Sequence, residues 1–311
     1  MREDFLWSQK YRPKTVSETI LPANLKASFQ HYVDQQNVPN LILAGGAGMG
    51  KTTVARAMLD ELDCDYIILN GSLNVNIDAL RKDITSFAST VSFKGKRKYI
   101  ILDEADYLTG HIVQPALRSF IEDFSANCGF ILTCNLLNRI IEPLRSRCVP
   151  IEFKIAKDDQ PRLASQFFKR IINILEVEGV TYDKAVVGAL VSRHMPDWRR
   201  VLNELQRYSV NGKVDTGILT DLTGDNFKNL IDLLKKKDFL ALRKWVAETD
   251  FSIDEVFTNL YDKAYDYVNP KYIPQLILIM ADYQYKAAFA ANAEINLAAA
   301  LTQIMVDIEF V

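Results

Sequence analysis

Between residues 40 and 155 the chain alternates short apolar runs with stretches in which apolar positions recur every three or four residues. Buried strands of a parallel sheet read as near-continuous apolar runs, and the helices crossing between them read as amphipathic stretches. The pattern predicts strands at Leu41–Ala44, Tyr66–Leu69, Tyr99–Leu102, Phe130–Thr133 and Pro150–Phe153. It predicts helices over Thr52–Leu62, Asp78–Thr90 and Gln114–Phe124 between them. From about 157 to 215 the strand signal vanishes and helical periodicity takes over, in Leu163–Glu176, Asp183–Ser192 and Trp198–Tyr208. Gly212 and Gly217 mark a boundary, after which the chain is again helical and finishes in the Ala-rich segment Ala287–Phe310. No internal repeat is visible. The expected architecture is an α/β domain with a parallel sheet over 1–155, a small helical domain over 156–215 and a helical C-terminal domain over 216–311.

A length of 311 residues exceeds one ordinary compact domain, which agrees with that division. The start Met1-Arg2-Glu3-Asp4 has no apolar segment behind it, so no secretory signal is expected. The longest uncharged apolar stretches, Tyr272–Ala281 and Ile295–Val306, fall short of the roughly 20 residues that span a bilayer. A cytosolic protein is expected. Cys64, Cys128, Cys134 and Cys148 have no CxxC spacing and lie far from the three histidines, so reduced thiols are expected rather than a zinc site. The net charge of −2 is unevenly spread: residues 216–311 carry 9 Lys/Arg and 14 Asp/Glu, while residues 1–215 carry 28 and 25. Any basic surface for nucleic acid therefore belongs to the first two thirds, although solvated charge accounts equally well for the count.

The strongest local signal is Gly45-Gly46-Ala47-Gly48-Met49-Gly50-Lys51-Thr52, a GxxxxGK[ST] phosphate-binding loop between an apolar strand and a helical run beginning at Thr53. Small residues are required because successive backbone N–H groups must close around phosphates without side chains in the way. Lys51 supplies charge to the β- and γ-phosphates of ATP, and the Thr52 hydroxyl is a Mg²⁺ ligand. The second signal is Tyr99-Ile100-Ile101-Leu102-Asp103-Glu104-Ala105-Asp106, an apolar strand ending in carboxylates. In a parallel sheet that end opens into the ligand crevice. Asp103 would hold Mg²⁺ through its water shell, and Glu104 would polarise the water that attacks the γ-phosphate. The letters Asp-Glu-Ala-Asp also suggest a DEAD-box helicase, but the chain is short for the two recombinase-like domains of such an enzyme.

With these motifs in place the sequence resembles the AAA+ sliding-clamp-loader ATPases, of the replication factor C small-subunit type, over nearly its whole length. Gln9-Lys10-Tyr11-Arg12-Pro13-Lys14-Thr15 resembles the family's "EKYRPKT" segment, which implies that Tyr11, Arg12 and Pro13 lie beside the adenine. Asn70-Gly71-Ser72 resembles "LNASD", and Leu108-Thr109 with Gln114 and Ala116-Leu117-Arg118 resembles the helix after the acidic motif. Thr133-Cys134-Asn135 looks like the sensor-1 strand, Ser146-Arg147-Cys148 like the "SRC" motif, and Pro196-Asp197-Trp198-Arg199-Arg200 like the start of the sensor-2 helix. Asn127-Cys128, Ile140-Ile141, Pro143-Leu144 and Ala290–Leu297 resemble the clamp loaders of T-even-like tailed bacteriophages, which would place the protein in a host cytoplasm.

The resemblance implies roles. Asn135 would orient the attacking water or contact the γ-phosphate, Arg199 would reach the phosphates from the helical lid, and Arg147 would act in trans on the next subunit's ATP. Asn70 would restrain Glu104, with Gln114 and Arg118 also regulatory. DNA contacts fall on Val75, Asn76, Ile77, Arg81 and Thr109, and clamp contacts on Phe120, Ile121 and Phe124, although their spacing equally satisfies core packing. The implied partners are further copies and a non-identical subunit in a hetero-pentameric loader, a ring-shaped clamp and primer–template DNA, with no membrane. Three departures stand out: Gly46 and Ala47 replace prolines, Pro196 replaces a glycine, and Pro115 suggests that its helix begins late. The basic run Lys94–Lys98 reads as a solvated turn. The rival readings are another AAA+ DNA motor such as a branch-migration helicase, and a clamp-loader subunit that binds ATP without hydrolysing it. The acidic C-terminal third argues against the first, and the set Lys51, Asp103, Glu104 and Arg147 against the second.

Overall fold

The computed structural model describes residues 5–72, 77–108, 112–210, 212–215, 224–248, 253–287, 290 and 292–311. The chain forms two compact units, Met1–Ile218 and Leu219–Val311. In the first, five strands make one sheet: β1 (Leu41–Gly45), β2 (Tyr66–Asn70), β3 (Lys98–Asp103), β4 (Cys128–Cys134) and β5 (Val149–Phe153). All pairings are parallel, in the order β2-β3-β4-β1-β5. These are the five apolar runs expected, each within two residues of its bounds.

The sheet is apolar on both faces because helices cover both, and the two-residue period of a strand sorts its side chains between them. Leu41, Leu43, Tyr99, Ile101 and Ile131 pack with Phe29, Val54, Met58 and Leu59. Those partners lie on α2 (Ala23–Asp34) and α3 (Lys51–Glu61), which follow the short α1 (Trp7–Lys10). Ile42, Ala44, Ile100, Leu102, Phe130 and Leu132 pack with Leu80, Ile84, Leu117 and Ile121. These come from α4 (Ile77–Ala88) and α5 (Val113–Asp123) on the opposite face. Helix α5 begins before Pro115 rather than after it. Pro115 is its third residue, within the first turn, where the missing N–H has no intrahelical partner to lose. The chain leaves β1 for the far edge of the sheet while β4 and β5 close on either side of it, which opens a crevice at the strand's carboxyl end.

After the short α6 (Glu142–Arg145), the segment expected to be purely helical contains α7 (Gln160–Val177), α8 (Lys184–His194) and α9 (Trp198–Ser209). It also holds a two-residue parallel pairing of β6 (Thr181–Tyr182) with β7 (Lys213–Val214), too short to leave a period in the sequence. Helix α1 is tied to this segment. The Trp7 amide donates to Gln206 Oε1 at 2.9 Å, Lys10 and Tyr11 donate to Glu178, and Arg170 donates to the Tyr11 carbonyl at 2.6 Å.

The second unit is helical, over Gly224–Lys236, Phe239–Glu248, Ile253–Asp262, Ala264–Tyr267, Ile273–Ala287 and Ala293–Asp307. Leu230, Leu234, Trp245, Phe257, Leu276, Leu301 and Ile304 form its core. The Ala-rich segment is not one helix: Ala287 closes one, and Asn292 caps the next by accepting from the Ile295 amide. No helix among the described residues is long and apolar enough to cross a membrane.

Candidate active site

The register of the sheet brings three strand tips together. Ala44 pairs with Cys134 and Leu102 with Leu132, so Gly45, Asp103 and Asn135 emerge side by side at the crevice. The loop after β1 turns back through Gly48 and Gly50, both with left-handed backbone at φ +69° and +88°, and Gly50 caps α3. Lys51 is buried at the start of that helix. Its ammonium donates to the carbonyls of Gly45 and Gly46, at 2.7 Å each, and to Asn135 Oδ1 at 3.0 Å. Burial pushes its pKa below the ordinary value.

Beside it, Asp103 Oδ1 accepts from the Thr52 hydroxyl at 2.6 Å and from the Thr133 hydroxyl at 2.5 Å. The Thr133 oxygen in turn accepts the Glu104 amide at 3.1 Å, and Glu104 itself sits at φ +56°. Asp106 Oδ2 accepts the amides of Asn135 and Leu136, which ties the β4 tip to the turn after β3. Its other oxygen is buried without a partner. Cys134, beneath these groups, is pushed up to about 11 by burial, with the Asp106 charge adding, and is therefore a neutral thiol.

The crevice is a cavity of about 320 Å³. Tyr11, Arg12, Pro13, Gly48, Met49, Gly50, Lys51, Thr52, Thr53, Asp103 and Arg199 all line it, joined by Arg56, Phe167, Arg170 and Trp198. Trp198 stacks on Phe167 with ring centroids 4.4 Å apart. The cavity thus gathers five cationic side chains against the one carboxylate of Asp103. Arg12 is lowered by burial first and then by the charges of Arg56 and Arg199, and the Nε atoms of Arg12 and Arg56 are buried without a partner. An excess of buried positive charge with unused donors suits a polyanion. The loop and α9 meet directly, because a Cβ on Gly48 would lie 1.7 Å from Asp197 Oδ1. Asp197 caps α9 by accepting the Arg200 amide at 3.0 Å, just after the cis Met195–Pro196 peptide.

Other expected residues lie elsewhere. Asn70 Oδ1 accepts from the Ser72 amide and hydroxyl. Gln114 is buried and bonded to Leu108, Arg139 and Ile141, a strut joining α5 to two loops. Arg147 lies outside the cavity with its guanidinium on Glu122. Ile121 is 3% exposed in the core, and Phe120 and Phe124 stack on each other, half-buried against the same core. Of these three, the structure takes Ile121 out of any open contact surface, because its side chain is spent on the sheet, and leaves Phe120 and Phe124 partly exposed. Val75, Asn76 and Thr109 lie outside the described residues, as does the side chain of Ile77; Arg81 is exposed. The basic run is an exposed turn over Lys94–Lys96, as expected, and departs from that reading only at its end, where Arg97 is half-buried and Lys98 buried. Lys94 pairs with Asp63, Lys96 and Arg97 donate to backbone carbonyls, and buried Lys98 binds the end of α4 through Phe87 and Thr90. Sequence reasoning passed over Thr133, Asp106, Arg56 and Arg170 as site residues. A polar residue near the end of an apolar strand was the only signal, and it served for Thr133 alone.

A parallel sheet with a glycine loop closing on its lysine, beside a carboxylate tip and under a helical roof, defines a P-loop ATPase of the AAA class. The family described as "ATPase family associated with various cellular activities (AAA)" matches residues 41–155. Residues 159–220 match "Sliding-clamp-loader large subunit, AAA+ ATPase lid domain", and residues 254–309 match the C-terminal domain of the same subunit. The chain is 35% identical to the sliding-clamp-loader large subunit of Enterobacteria phage T4, over 99% of this chain and 98% of that one. It is 36% identical to that of Escherichia phage RB69, over 98% and 97%. It is 31% identical to the replication factor C small subunit of Archaeoglobus fulgidus, over 96% and 97%. The chain belongs to the sliding-clamp-loader family of AAA+ ATPases. Its fold is also that of the Thermotoga maritima RuvB Holliday junction branch migration motor, with a TM-score of 0.51 over 80% of this chain and 85% of that one; at 18% identity this likeness concerns the fold alone.

Proposed function

We propose that this chain uses ATP binding to open a ring-shaped sliding clamp and load it on primer–template DNA, and hydrolysis to release the closed ring. The observation that carries the reading is the convergence of Lys51, Thr52, Asp103 and Asn135 at three strand tips, under a lid that brings Arg199 to the same cavity. ATP lies with its phosphates on the Gly45–Thr53 loop and its base towards Tyr11, Arg12 and Pro13. The Thr52 hydroxyl and Asp103 carboxylate, 2.6 Å apart, are hard oxygen donors that fit Mg²⁺, and they are the residues that would hold it. Bound there, the ion neutralises charge on the β- and γ-phosphates.

The protein's own groups do the rest. Glu104 orients and polarises the attacking water, and the Thr133 bond to its amide sets where that carboxylate begins. Asn135, held by Lys51, faces the γ-phosphate side. Arg199 senses the phosphates from α9, whose N-terminus touches the loop at Gly48, so nucleotide state is felt as lid position. Arg147 completes the site of a neighbouring copy, which makes a lone subunit a poor ATPase. The chain divides functionally at about 155 and 215 into ATPase, lid and collar parts. It works with a non-identical subunit in a pentameric loader, in the host cytoplasm. Arg81 contributes to sequence-independent DNA contact. Clamp contact falls on the half-buried Phe120 and Phe124 of α5.

The test is steady-state ATP hydrolysis with and without primer–template DNA and a ring clamp, alongside Arg147→Ala. Joint stimulation that disappears in the variant is expected. Turnover indifferent to clamp, DNA and Arg147 would refute the loading mechanism.

A further inference from the structure

On α5, Arg118 and Glu122 stand one turn apart on one face, with Arg118 Nε 3.9 Å from Glu122 Oε1. Across from them, Leu144 and Cys148 are buried in the same core as Leu117 and Ile121, which pins the stretch containing Arg147 against this helix. Arg147 Nε donates to Glu122 Oε1 at 2.7 Å, and Nη2 pairs with the same carboxylate. Nη1 donates to the Pro143 carbonyl at 2.8 Å and only weakly to Ser146 Oγ, at 3.4 Å. A guanidinium carries five N–H donors in a rigid fork. Here three are committed within the subunit and a fourth, on Nη1, rests on the long contact to Ser146, so the second hydrogen of Nη2, and that of Nη1 once it leaves Ser146, are the ones left for an anion.

We propose that Glu122 is a positioning residue for the arginine that acts in trans: it fixes the Arg147 guanidinium before a neighbour arrives, so that the remaining Nη hydrogens meet the γ-phosphate of that neighbour's ATP. This rests on the reading of Arg147 given above. A free arginine on an exposed turn must be ordered as the transition state forms, which weakens its contribution to rate. An anchoring carboxylate removes that search. Its negative charge would by itself oppose a phosphate, but Arg118 shares Glu122, so the three side chains together remain positive. An exposed ion pair adds little to stability. Its loss should therefore appear in turnover and not in folding.

The experiment measures ATP hydrolysis by the assembled loader with clamp and primer–template DNA, for Glu122→Ala, Glu122→Gln, Arg147→Ala and the double variant Glu122→Ala/Arg147→Ala. Glu122→Ala is expected to lower kcat about ten- to a hundredfold, with KM for ATP and the melting temperature unchanged. Glu122→Gln keeps an accepting oxygen and should lose only a few-fold. The double variant should match Arg147→Ala alone, because Glu122 acts only through Arg147. Wild-type kcat in Glu122→Ala, with Arg147→Ala inactive, overturns the positioning role and leaves the arginine's role standing. A raised kcat overturns it by showing that the carboxylate holds the arginine back. A further loss in the double variant overturns it by placing the action of Glu122 elsewhere. If Arg147→Ala itself turns over normally, the trans-acting reading falls and this proposal falls with it.

Discussion

Replacing Thr133 by valine keeps the shape of a side chain that is 1% exposed and removes one oxygen. That oxygen donates to Asp103 and accepts from the Glu104 amide. Leaving the amide unpaired costs about 1–3 kcal/mol, and losing a hydrogen bond to a carboxylate costs about 1.5–3 kcal/mol. The two losses share one atom and are not additive, so a net destabilisation of roughly 2–4 kcal/mol is expected. For a unit of 218 residues, at about 2–4 °C per kcal/mol, melting should fall by roughly 5–15 °C. The rate should fall further than stability requires. Glu104 holds a left-handed backbone at φ +56°, a conformation costing a non-glycine residue about 1–2 kcal/mol, and the Thr133 bond keeps it there. Released, its carboxylate shifts, and a shift on the order of 1 Å can cost about a hundredfold. Circular-dichroism melting and steady-state ATP hydrolysis, with Thr133→Ser as a control that keeps the hydroxyl, read both effects. A valine variant that melts within about 1 °C of the parent and turns over within twofold would show that the bridge sets neither.

Gly48→Ala places a methyl group against Asp197 in a left-handed backbone, so the lid must move away; ATP affinity, read from Trp198 fluorescence, should weaken at least tenfold, about 1.4 kcal/mol. Unchanged affinity would contradict the fit of loop to lid. Lys51→Met leaves Gly45, Gly46 and Asn135 without their shared donor and should abolish measurable nucleotide binding; retained micromolar binding would count against the phosphate cradle. Hydrogen bonds from Lys10 and Tyr11 hold the Glu178 carboxyl below its usual range. A depressed carboxylate stabilises above the unfolded pKa of about 4.3 and loses that effect as pH falls through the folded value. Glu178→Ala should therefore make the segment before Pro13 modestly more open to proteolysis at pH 7, with the difference from the parent shrinking as pH falls below about 4. A difference that does not change with pH would exclude this ion pair as the tie.

The five strands, the helices between them and the phosphate loop were legible in the sequence because each depends on local spacing. A buried parallel strand must be apolar throughout, and a loop that wraps phosphates must lack side chains. Ile121 shows the limit. Leu117, Phe120, Ile121 and Phe124 define one face of a helix in any fold, but only the packed sheet decides whether that face meets a core or a partner. Pro115 shows another: spacing marks a first turn within a residue or two, and the structure settles which.

What the sequence determined by itself was the class of chemistry, since Gly45–Thr52 and Asp103–Glu104 allow little else at the tips of adjacent strands, and the family that shares them. What only the tertiary structure decided were the long-range meetings. Arg12, Arg56, Arg170 and Arg199 share one cavity, Asp197 touches Gly48, and Thr133 bridges Asp103 to Glu104. The reason is geometric. Periodicity fixes which side chains lie on the same side of one element, whereas the distance between residues far apart in the chain depends on strand order and register, which no local pattern encodes.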